Sequence, residues 1–292
     1  DLKRTIAKKI KSDLFPQKEV IKNYDEIVAK AFDLPAPKEE KFLYKDQKMF
    51  TFVDEIKEEI IDKTQELATE KIYYYNDEKG SKNAFKNGAY VKAQNIQSSY
   101  NIEDFEKAAV ANNWTVVASN IGTVWIAIKN GLKFIVDREL NCYNSVAISF
   151  YLDYGAEKVV PSIELSLEEI SKINNRDKLI LLAFYYPVLM TSRAYEEKNI
   201  FGKNKMTLLD RKDYEYRVRF ENKLMKIYNP MPVDMLYELE RLNQYQNIGI
   251  DLKETHTPEA IALLKFYVDK INKRNPSKKS KFTRGHYDKA VV

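Results

Sequence analysis

The stretch Leu179–Met190 reads Leu-Ile-Leu-Leu-Ala-Phe-Tyr-Tyr-Pro-Val-Leu-Met and is the longest apolar run of the chain. At twelve residues it is too short to cross a bilayer, which takes about 20 residues of helix. Its first part, Leu179–Tyr185, is apolar at successive positions, so a strand formed there would be buried on both faces. Strands of this kind occur in parallel sheets that are covered by helices. The stretch therefore predicts a buried parallel strand followed by a loop.

Strand and helix patterns alternate around this run, which favours a parallel sheet built from β/α units. We predict strands over Thr115–Ser119, Lys133–Asp137, Lys158–Pro161 and Ile248–Leu252, and helices over Ile102–Asn112, Val146–Tyr154, Pro232–Gln244 and from Thr257 to about Lys273. Ser166 and Glu169 form a capping-box pattern that predicts one more helix start. The segment Leu208–Phe220 predicts a turn and an antiparallel strand. Five or six units are visible, so we expect an α/β fold with a partial or complete TIM-barrel-like parallel sheet.

The first part of the chain has a different pattern. Apolar residues at Ile56, Ile60 and Leu67 recur at helical spacing, so we predict a helical region over residues 1–75. Residues 76–101 are predicted to be a linker or loop, because glycine and asparagine are frequent at their start. Residues 102–292 are then the barrel portion, which ends in a basic tail.

Composition limits the class of protein. The chain has 292 residues, of which 44% are apolar, and this excludes wholesale disorder. The lone Cys142 allows no intramolecular disulfide, which fits a cytoplasmic protein. The chain opens with Asp1 and without an apolar leader, so we expect a processed chain or a fragment of a longer one. We expect no contact with a membrane.

Positive charge is concentrated near the C-terminus. Between Lys270 and Lys289 eight basic residues face one acidic residue, which places a charge of +7 there and leaves −2 for the rest of the chain. Such a segment can neutralise phosphates, so RNA is one candidate partner. A solvated terminus without a partner is the alternative.

Polar residues follow the predicted strands, where barrel proteins place their functional groups. We select Glu164 and Arg193 as catalytic candidates, and we select as substrate-binding candidates Asn141, Asn144, Ser162, Arg284 and His286. These residue types bind anions and move protons. Structural roles are the alternatives: Glu164 precedes a helix start, and Asn144 is placed to cap a helix. The sequence contains no metal-ligand motif, and we predict no metal site.

Several phrases of the chain occur together in a known family. Asp137–Ser145 reads Asp-Arg-Glu-Leu-Asn-Cys-Tyr-Asn-Ser, and further phrases are Ser162–Ile170, Leu189–Ser192 and Phe282–Tyr287. In this order they resemble the collagenase-like peptidase family U32, over roughly Val116–Val292. The resemblance implies a TIM-barrel-like fold and a peptidase or collagenase description. It also implies a relation to oxygen-independent tRNA and rRNA hydroxylation enzymes, which use prephenate and a cysteine-held iron–sulfur cluster.

The chain departs from that pattern in its cysteines. Where the first cluster cysteine is expected, after Leu189-Met190, the chain has Tyr195. One thiol cannot hold a four-cysteine cluster, so we expect no cofactor in this chain and a cluster only in catalytic relatives. Two functions follow as alternatives. The chain is part of a U32 enzyme, peptidase or RNA hydroxylase, completed by missing N-terminal segments or a partner subunit. Alternatively, it is a catalytically degenerate barrel that binds RNA or a partner.

Overall fold

The computed structural model describes residues 47–53, 69–75, 85–97, 99–193, 205–271 and 281–289, together with Glu26 and Lys41. Contacts between Cα atoms divide the chain into two compact units, Asp1–Pro35 and Ala36–Val292. All described residues except Glu26 belong to the second unit.

The second unit is an α/β structure. Its strands are β1 (Lys48–Val53), β2 (Thr69–Tyr74), β3 (Tyr90–Lys92), β4 (Thr115–Ala118), β5 (Phe134–Val136), β6 (Ala156–Val159), β7 (Ile180–Tyr185), β8 (Val188–Ser192), β9 (Lys205–Leu209), β10 (Glu215–Glu221), β11 (Leu224–Tyr228), β12 (Val233–Asp234) and β13 (Asn247–Asp251). Its helices are α1 (Ser99–Ala111), α2 (Ile121–Lys129), α3 (Ser145–Asp153), α4 (Leu167–Ser171) and α5 (Thr257–Ile271), with 3₁₀ turns at Arg138–Leu140, Arg176–Lys178 and Leu236–Leu242.

Eight of the described strands run parallel, in the order β7-β13-β1-β2-β3-β4-β5-β6. A parallel bridge between Val159 and Leu179 joins β6 back to β7, so the two ends of the sheet meet at one residue pair. Farther along β7, the short strand β12 pairs antiparallel with Phe184 and Tyr185. This arrangement confirms the predicted TIM-barrel-like fold.

The phrase Phe282–Tyr287 packs beside β7 and β12. Thr283 forms a parallel bridge with Val233, and the buried Tyr287 hydroxyl donates a hydrogen bond of 2.7 Å to the Leu182 carbonyl. Gly285 has φ +57°, and a Cβ there would lie 2.9 Å from Cγ2 of Val233, so the position requires glycine. This phrase therefore has a structural role at the side of the barrel.

A second sheet is antiparallel, in the order β8-β11-β10-β9. It follows β7 in the chain and has a small core of its own, made of Val218, Phe220 and Met225. The turn before β10 includes Asp213, and the antiparallel strand predicted within Leu208–Phe220 is confirmed.

Most predicted units of the barrel are confirmed within two or three residues, including the capping box of Ser166 and Glu169 at the start of α4. Other predictions were wrong. Residues 48–53 and 69–74 form β1 and β2 rather than helix, and residues 90–92 of the predicted linker form β3. The predicted helix Pro232–Gln244 is β12 followed by a 3₁₀ turn. Ile56, Ile60 and Leu67 lie outside the described residues, as does most of the predicted helical region.

Candidate functional site

Charged and polar side chains gather where the parallel strands end. Tyr74 ends β2, Lys92 ends β3, Asp137 follows β5 and Asp251 ends β13. Because these strands are parallel, their carboxyl ends share one edge of the barrel, which we call the mouth. Lys92, Asp137 and Asp251 each directly follow a buried apolar residue. The strand positions therefore fix where the polar groups lie.

Lys92 is 5% exposed and sits between two carboxylates. Its Nζ lies 2.9 Å from Oε1 and 2.8 Å from Oε2 of Glu139, and it also forms an ion pair with Asp137. Burial lowers the pKa of the Lys92 ammonium to about 8, against the opposing effect of Glu139. Lys92 and Arg138 outweigh burial at Glu139 and lower the pKa of that carboxyl to about 2.

Arg138 forms the second buried contact of the mouth. Its Nη2 donates a hydrogen bond of 2.7 Å to Oδ2 of Asp251, which also accepts one of 2.7 Å from the Tyr74 hydroxyl. The guanidinium carbon lies 5.6 Å from the Tyr185 ring centroid. Burial opposes ionisation of the Asp251 carboxyl, but Arg138 and Tyr74 outweigh it, so the pKa of Asp251 is lowered. The pair is therefore ionised at neutral pH.

The antiparallel sheet contributes the other side of the mouth. Glu221, at the end of β10, accepts hydrogen bonds of 2.9 Å from Lys226 and 2.6 Å from Lys253. These two ammonium groups outweigh burial and lower the pKa of Glu221 to about 2. Arg217 stacks on Tyr186 with its guanidinium carbon 4.2 Å from the ring centroid. Charge pairs thus join the second sheet to the barrel.

A cavity of about 40 Å³ lies among these groups and is lined by Tyr74, Lys92, Gln94, Arg138, Glu139, Asp251 and Lys253, among others. Buried polar atoms face it without a hydrogen-bond partner among the described residues: both side-chain atoms of Gln94 and Nη1 of Arg138. Buried polar groups are nearly always paired, by protein or by ordered water. The cavity has room for about one carboxylate group or one to three water molecules.

The residues selected from the sequence occupy neighbouring loops, outside the lining of this cavity. Asn141 and Ser162 meet: the Ser162 hydroxyl donates a hydrogen bond of 2.6 Å to Oδ1 of Asn141. Glu164 is exposed and accepts a hydrogen bond of 3.0 Å from the Tyr143 hydroxyl. Asn144 caps α3, because its Oδ1 accepts a hydrogen bond from the Ala147 amide. These candidates form a loop cluster, and their functional roles stay predictions.

Three other candidates lie apart from that cluster. Arg193 is an exposed residue directly after β8. Arg284 forms an ion pair with Glu238, and its Nη1 lies 3.6 Å from Oδ2 of Asp288. His286 is exposed in the same turn. The structure does not bring these three together with Asn141, Ser162 and Glu164 in one cavity.

The described residues do not fit an iron–sulfur cluster. Cys142 is fully buried in the apolar core, and burial raises the pKa of its thiol to about 12. The thiolate that would bind iron is therefore disfavoured. Within the described parts of the chain, no group of three His, Cys, Asp or Glu side chains is placed to hold a metal ion. No described helix is long and apolar enough to span a membrane.

The candidates chosen from the sequence follow predicted strands, but they do not include most residues of the mouth. Lys92 and Gln94 fall in the segment predicted as a linker, and Asp251 lies within the predicted strand Ile248–Leu252 and was assigned no role. A charged residue directly after apolar strand residues, as in Val91-Lys92 and Ile250-Asp251, was the sequence signal for these positions. It indicates a site only once β3 is known to pair with β2 and β4, because that pairing makes residues 90–92 a strand.

Residues 65–192 match the family model described as Peptidase family U32. This match confirms the family resemblance predicted from the sequence over Val116–Ser192, the part that the predicted span and the match share. Tyr74, Lys92, Gln94, Arg138 and Glu139 lie within it, whereas Asp251 and Lys253 lie beyond it. No curated protein matches the chain.

Two solved structures show how distant the structural matches are. A plant class V chitinase mutant from Cycas revoluta in complex with (GlcNAc)3 is 10% identical, with a TM-score of 0.29, over 76% of this chain and 99% of that chain. The family GH18 chitinase from Cycas revoluta in a complex with allosamidin is 9% identical, with a TM-score of 0.26, over 69% and 80%. Likeness at this level carries no argument about this chain.

Proposed function

We propose that this chain is a U32-type barrel that binds a small organic acid at its mouth and serves as the non-redox part of an RNA hydroxylation enzyme. The observation that carries the proposal is the set of unpaired buried atoms on Gln94 and Arg138 beside the cavity. The match to peptidase family U32 supports the choice of enzyme class, because the resemblance to that family implies a relation to RNA hydroxylation enzymes.

A carboxylate suits the unpaired donors. Nη1 of Arg138 and Nε2 of Gln94 are N–H donors, and a carboxylate accepts hydrogen bonds on both of its oxygens. Among the charged side chains that line the cavity, four positive groups face three negative groups: Lys92, Arg138, Lys226 and Lys253 against Glu139, Asp251 and Glu254. This balance favours an anion over a cation.

Size limits what the cavity can enclose. A cavity of about 40 Å³ takes one carboxylate group, so a larger ligand would place that group inside and the rest of its atoms outside. The part of the acid farther from the carboxylate would extend toward the hairpin of β10 and β11, where Asn222, Lys226 and Tyr228 also line the cavity. Prephenate, the compound that the family resemblance implies, carries carboxylate groups and is one candidate.

Peptide hydrolysis is the other activity that the family description implies, and the mouth supports it less. The Cys142 thiol is buried and its pKa is raised, so it is a poor nucleophile. The Ser162 hydroxyl donates to an amide oxygen, Oδ1 of Asn141, rather than to a base. We therefore expect purified protein not to hydrolyse gelatin.

Calorimetric titration with pyruvate, prephenate and acetate tests the proposed site. We expect saturable binding of at least one acid by the wild-type protein. The variant Arg138→Met should bind it 10- to 100-fold more weakly, because a hydrogen bond to a charged group contributes about 1.5–3 kcal/mol. The matched control is Arg193→Met, which removes a guanidinium from an exposed position and should leave the affinity unchanged.

Two outcomes would contradict this proposal. One is a wild-type protein that binds none of the three acids. The other is affinity that depends on Arg193 and not on Arg138, since that result would place the ligand in the exposed loop after β8. Circular dichroism of each variant checks that it is folded.

A further inference from the structure

Lys92 differs from an ordinary buried lysine because it lines a cavity beside polar atoms that have no hydrogen-bond partner. Its side chain is 6% exposed, and it lines the same cavity as the unpaired atoms of Gln94 and Arg138. An acid whose carboxylate is held by Arg138 and Gln94 would bring its neighbouring carbon atoms to the remaining wall of this small space. Lys92 is part of that wall.

We infer that Lys92 forms an imine with the carbonyl carbon of a 2-oxo acid bound in the mouth cavity. This inference rests on the proposed binding of an organic acid, and it adds a covalent step on Lys92. In a 2-oxo acid the carbonyl carbon is bonded directly to the carboxylate carbon. A group that holds the carboxylate therefore also positions the electrophile.

The step balances with water and protons alone. The Lys92 ammonium releases a proton to solvent, and the neutral amine attacks the carbonyl carbon, so that a C–N bond forms and a carbinolamine results. The carbinolamine then takes up a proton from solvent, its C–O bond breaks, and water leaves. The product is a protonated imine on Lys92, and no oxidant or reductant is needed.

The groups around Lys92 favour both the attack of the neutral amine and the formation of the protonated imine. Burial lowers the pKa of the ammonium to about 8, so about one tenth of the amine is neutral at pH 7, compared with less than a thousandth for an ordinary lysine. Glu139 and Asp137 both contact Nζ, and Glu139, whose carboxyl pKa is lowered, remains ionised beside the protonated imine and stabilises its charge. The other titratable groups of the cavity wall are Tyr74, Tyr75, Arg138, Tyr186, Lys226, Tyr228, Asp251, Lys253 and Glu254.

Reductive trapping tests the inference on the whole chain. The protein is incubated with pyruvate and sodium borohydride, which reduces an imine to a stable secondary amine, and the product is digested and mapped by mass spectrometry. We expect one reduced pyruvate adduct on the peptide that contains Lys92. The variant Lys92→Arg should lose this adduct, and its circular dichroism spectrum reports whether it is folded.

Lys158 provides a matched control within the same digest. It lies on β6, is partly buried, and has an ammonium pKa lowered by burial, but it does not line the cavity. If a lowered pKa alone were sufficient, Lys158 would also be labelled. We expect at least tenfold less adduct on Lys158 than on Lys92.

The pH dependence of labelling gives a second measurement. For an amine with a pKa of about 8, the neutral fraction rises roughly tenfold between pH 7 and pH 9 and then levels off. For a lysine with an ordinary pKa it rises roughly a hundredfold over the same range. A rate at Lys92 that rises without levelling would contradict the inference.

The outcomes separate this inference from the proposed function. If calorimetry shows that pyruvate binds but no adduct forms on Lys92, the imine is wrong and the acid-binding function stands. If pyruvate and the other acids do not bind, both are wrong. Labelling spread evenly over the exposed lysines also overturns the inference, and because the wild-type digest decides each case, an unfolded variant does not obscure the result.

Discussion

At the scale of single residues, Gln94 is a buried polar residue whose side chain gains no hydrogen bond from folding. Its side chain lies in the mouth with both polar atoms unpaired among the described residues, and the residue is 8% exposed. Leaving a buried polar group unpaired costs about 1–3 kcal/mol. A protein retains such a group most readily where a ligand or water supplies the missing partner.

We therefore predict that Gln94→Leu stabilises the unliganded protein and weakens the binding of the organic acid. The gain in the free energy of unfolding should be about 1 kcal/mol, because leucine has a similar size and no polar atoms to leave unpaired. The affinity should fall about fivefold or more. Urea unfolding and calorimetric titration measure the two effects on the same sample.

Gln47→Leu is the matched control for this prediction. The Gln47 amide donates hydrogen bonds of 3.1 and 2.9 Å to the carbonyls of Leu242 and Tyr245, so its loss should destabilise the protein. If Gln94→Leu destabilises as much as Gln47→Leu does, Gln94 has a structural role and the interpretation of the mouth fails.

Glu221 gives a prediction about pH. Its pKa is lowered from 4.5 to about 2 by Lys253 and Lys226, so its stabilising effect is fully present above about pH 4.5 and is lost as pH falls toward 2. Glu221→Gln should reduce the free energy of unfolding at pH 7 on the order of 3 kcal/mol. The difference between wild type and variant should shrink as pH falls, because a protonated carboxyl resembles an amide. A difference that stays constant from pH 7 to pH 3 would show that the ion pairs contribute nothing.

At the scale of elements, helix ends account for one of the residues selected from the sequence. Asn144 accepts a hydrogen bond of 2.9 Å from the Ala147 amide at the start of α3, which satisfies one of the unpaired donors of the helix. We predict that Asn144→Ala lowers the free energy of unfolding by about 1 kcal/mol and leaves acid binding unchanged. Asn144→Asp, which retains the cap, should restore most of the stability. An affinity that falls in both variants while stability is kept would restore Asn144 as a substrate-binding residue.

The elements also show what the sequence allowed us to predict. The strand of Leu179–Tyr185 and the helix after Ser166 were predictable because an apolar run and a capping box are local signals. The strands β1 and β2 were not, since Met49–Val53 and Ile72–Tyr75 lie next to charged segments with helical spacing. These two segments are strands because β1 pairs with β13 and β2 pairs with β3. The strand β13 lies about 200 residues after β1 in the sequence. The mouth was missed for the same reason, because its residues come from strands distant in sequence.

At the scale of the whole molecule, the basic segment and the barrel cannot be separated by simple truncation. Thr283 and Tyr287 lie within the stretch 270–289 and bond to Val233 and Leu182 in the barrel. A deletion would therefore disturb the fold as well as remove charge. Replacing basic side chains by neutral ones tests RNA as a partner and leaves the bonds of Thr283 and Tyr287 to the barrel in place.

We predict that replacing Lys273, Arg274, Lys278 and Lys279 by glutamine weakens binding of single-stranded RNA and reduces its dependence on salt. Each phosphate contact that is lost should lower the slope of log affinity against log salt by about 0.7. Filter binding over a range of salt concentrations measures both quantities. The control replaces four exposed lysines of the barrel unit, Lys129, Lys133, Lys172 and Lys178, and so changes the net charge equally. Equal loss in the two variants, or no loss in the first, would remove RNA as a partner of this segment.

A crystal structure of the wild-type protein grown with pyruvate tests the central claim most directly. We predict electron density for the ligand in the mouth, with its carboxylate within hydrogen-bond distance of Nη1 of Arg138 and Nε2 of Gln94. Ordered water alone in that cavity, with pyruvate bound instead among Asn141, Ser162 and Glu164, would contradict the claim that the buried mouth is the binding site.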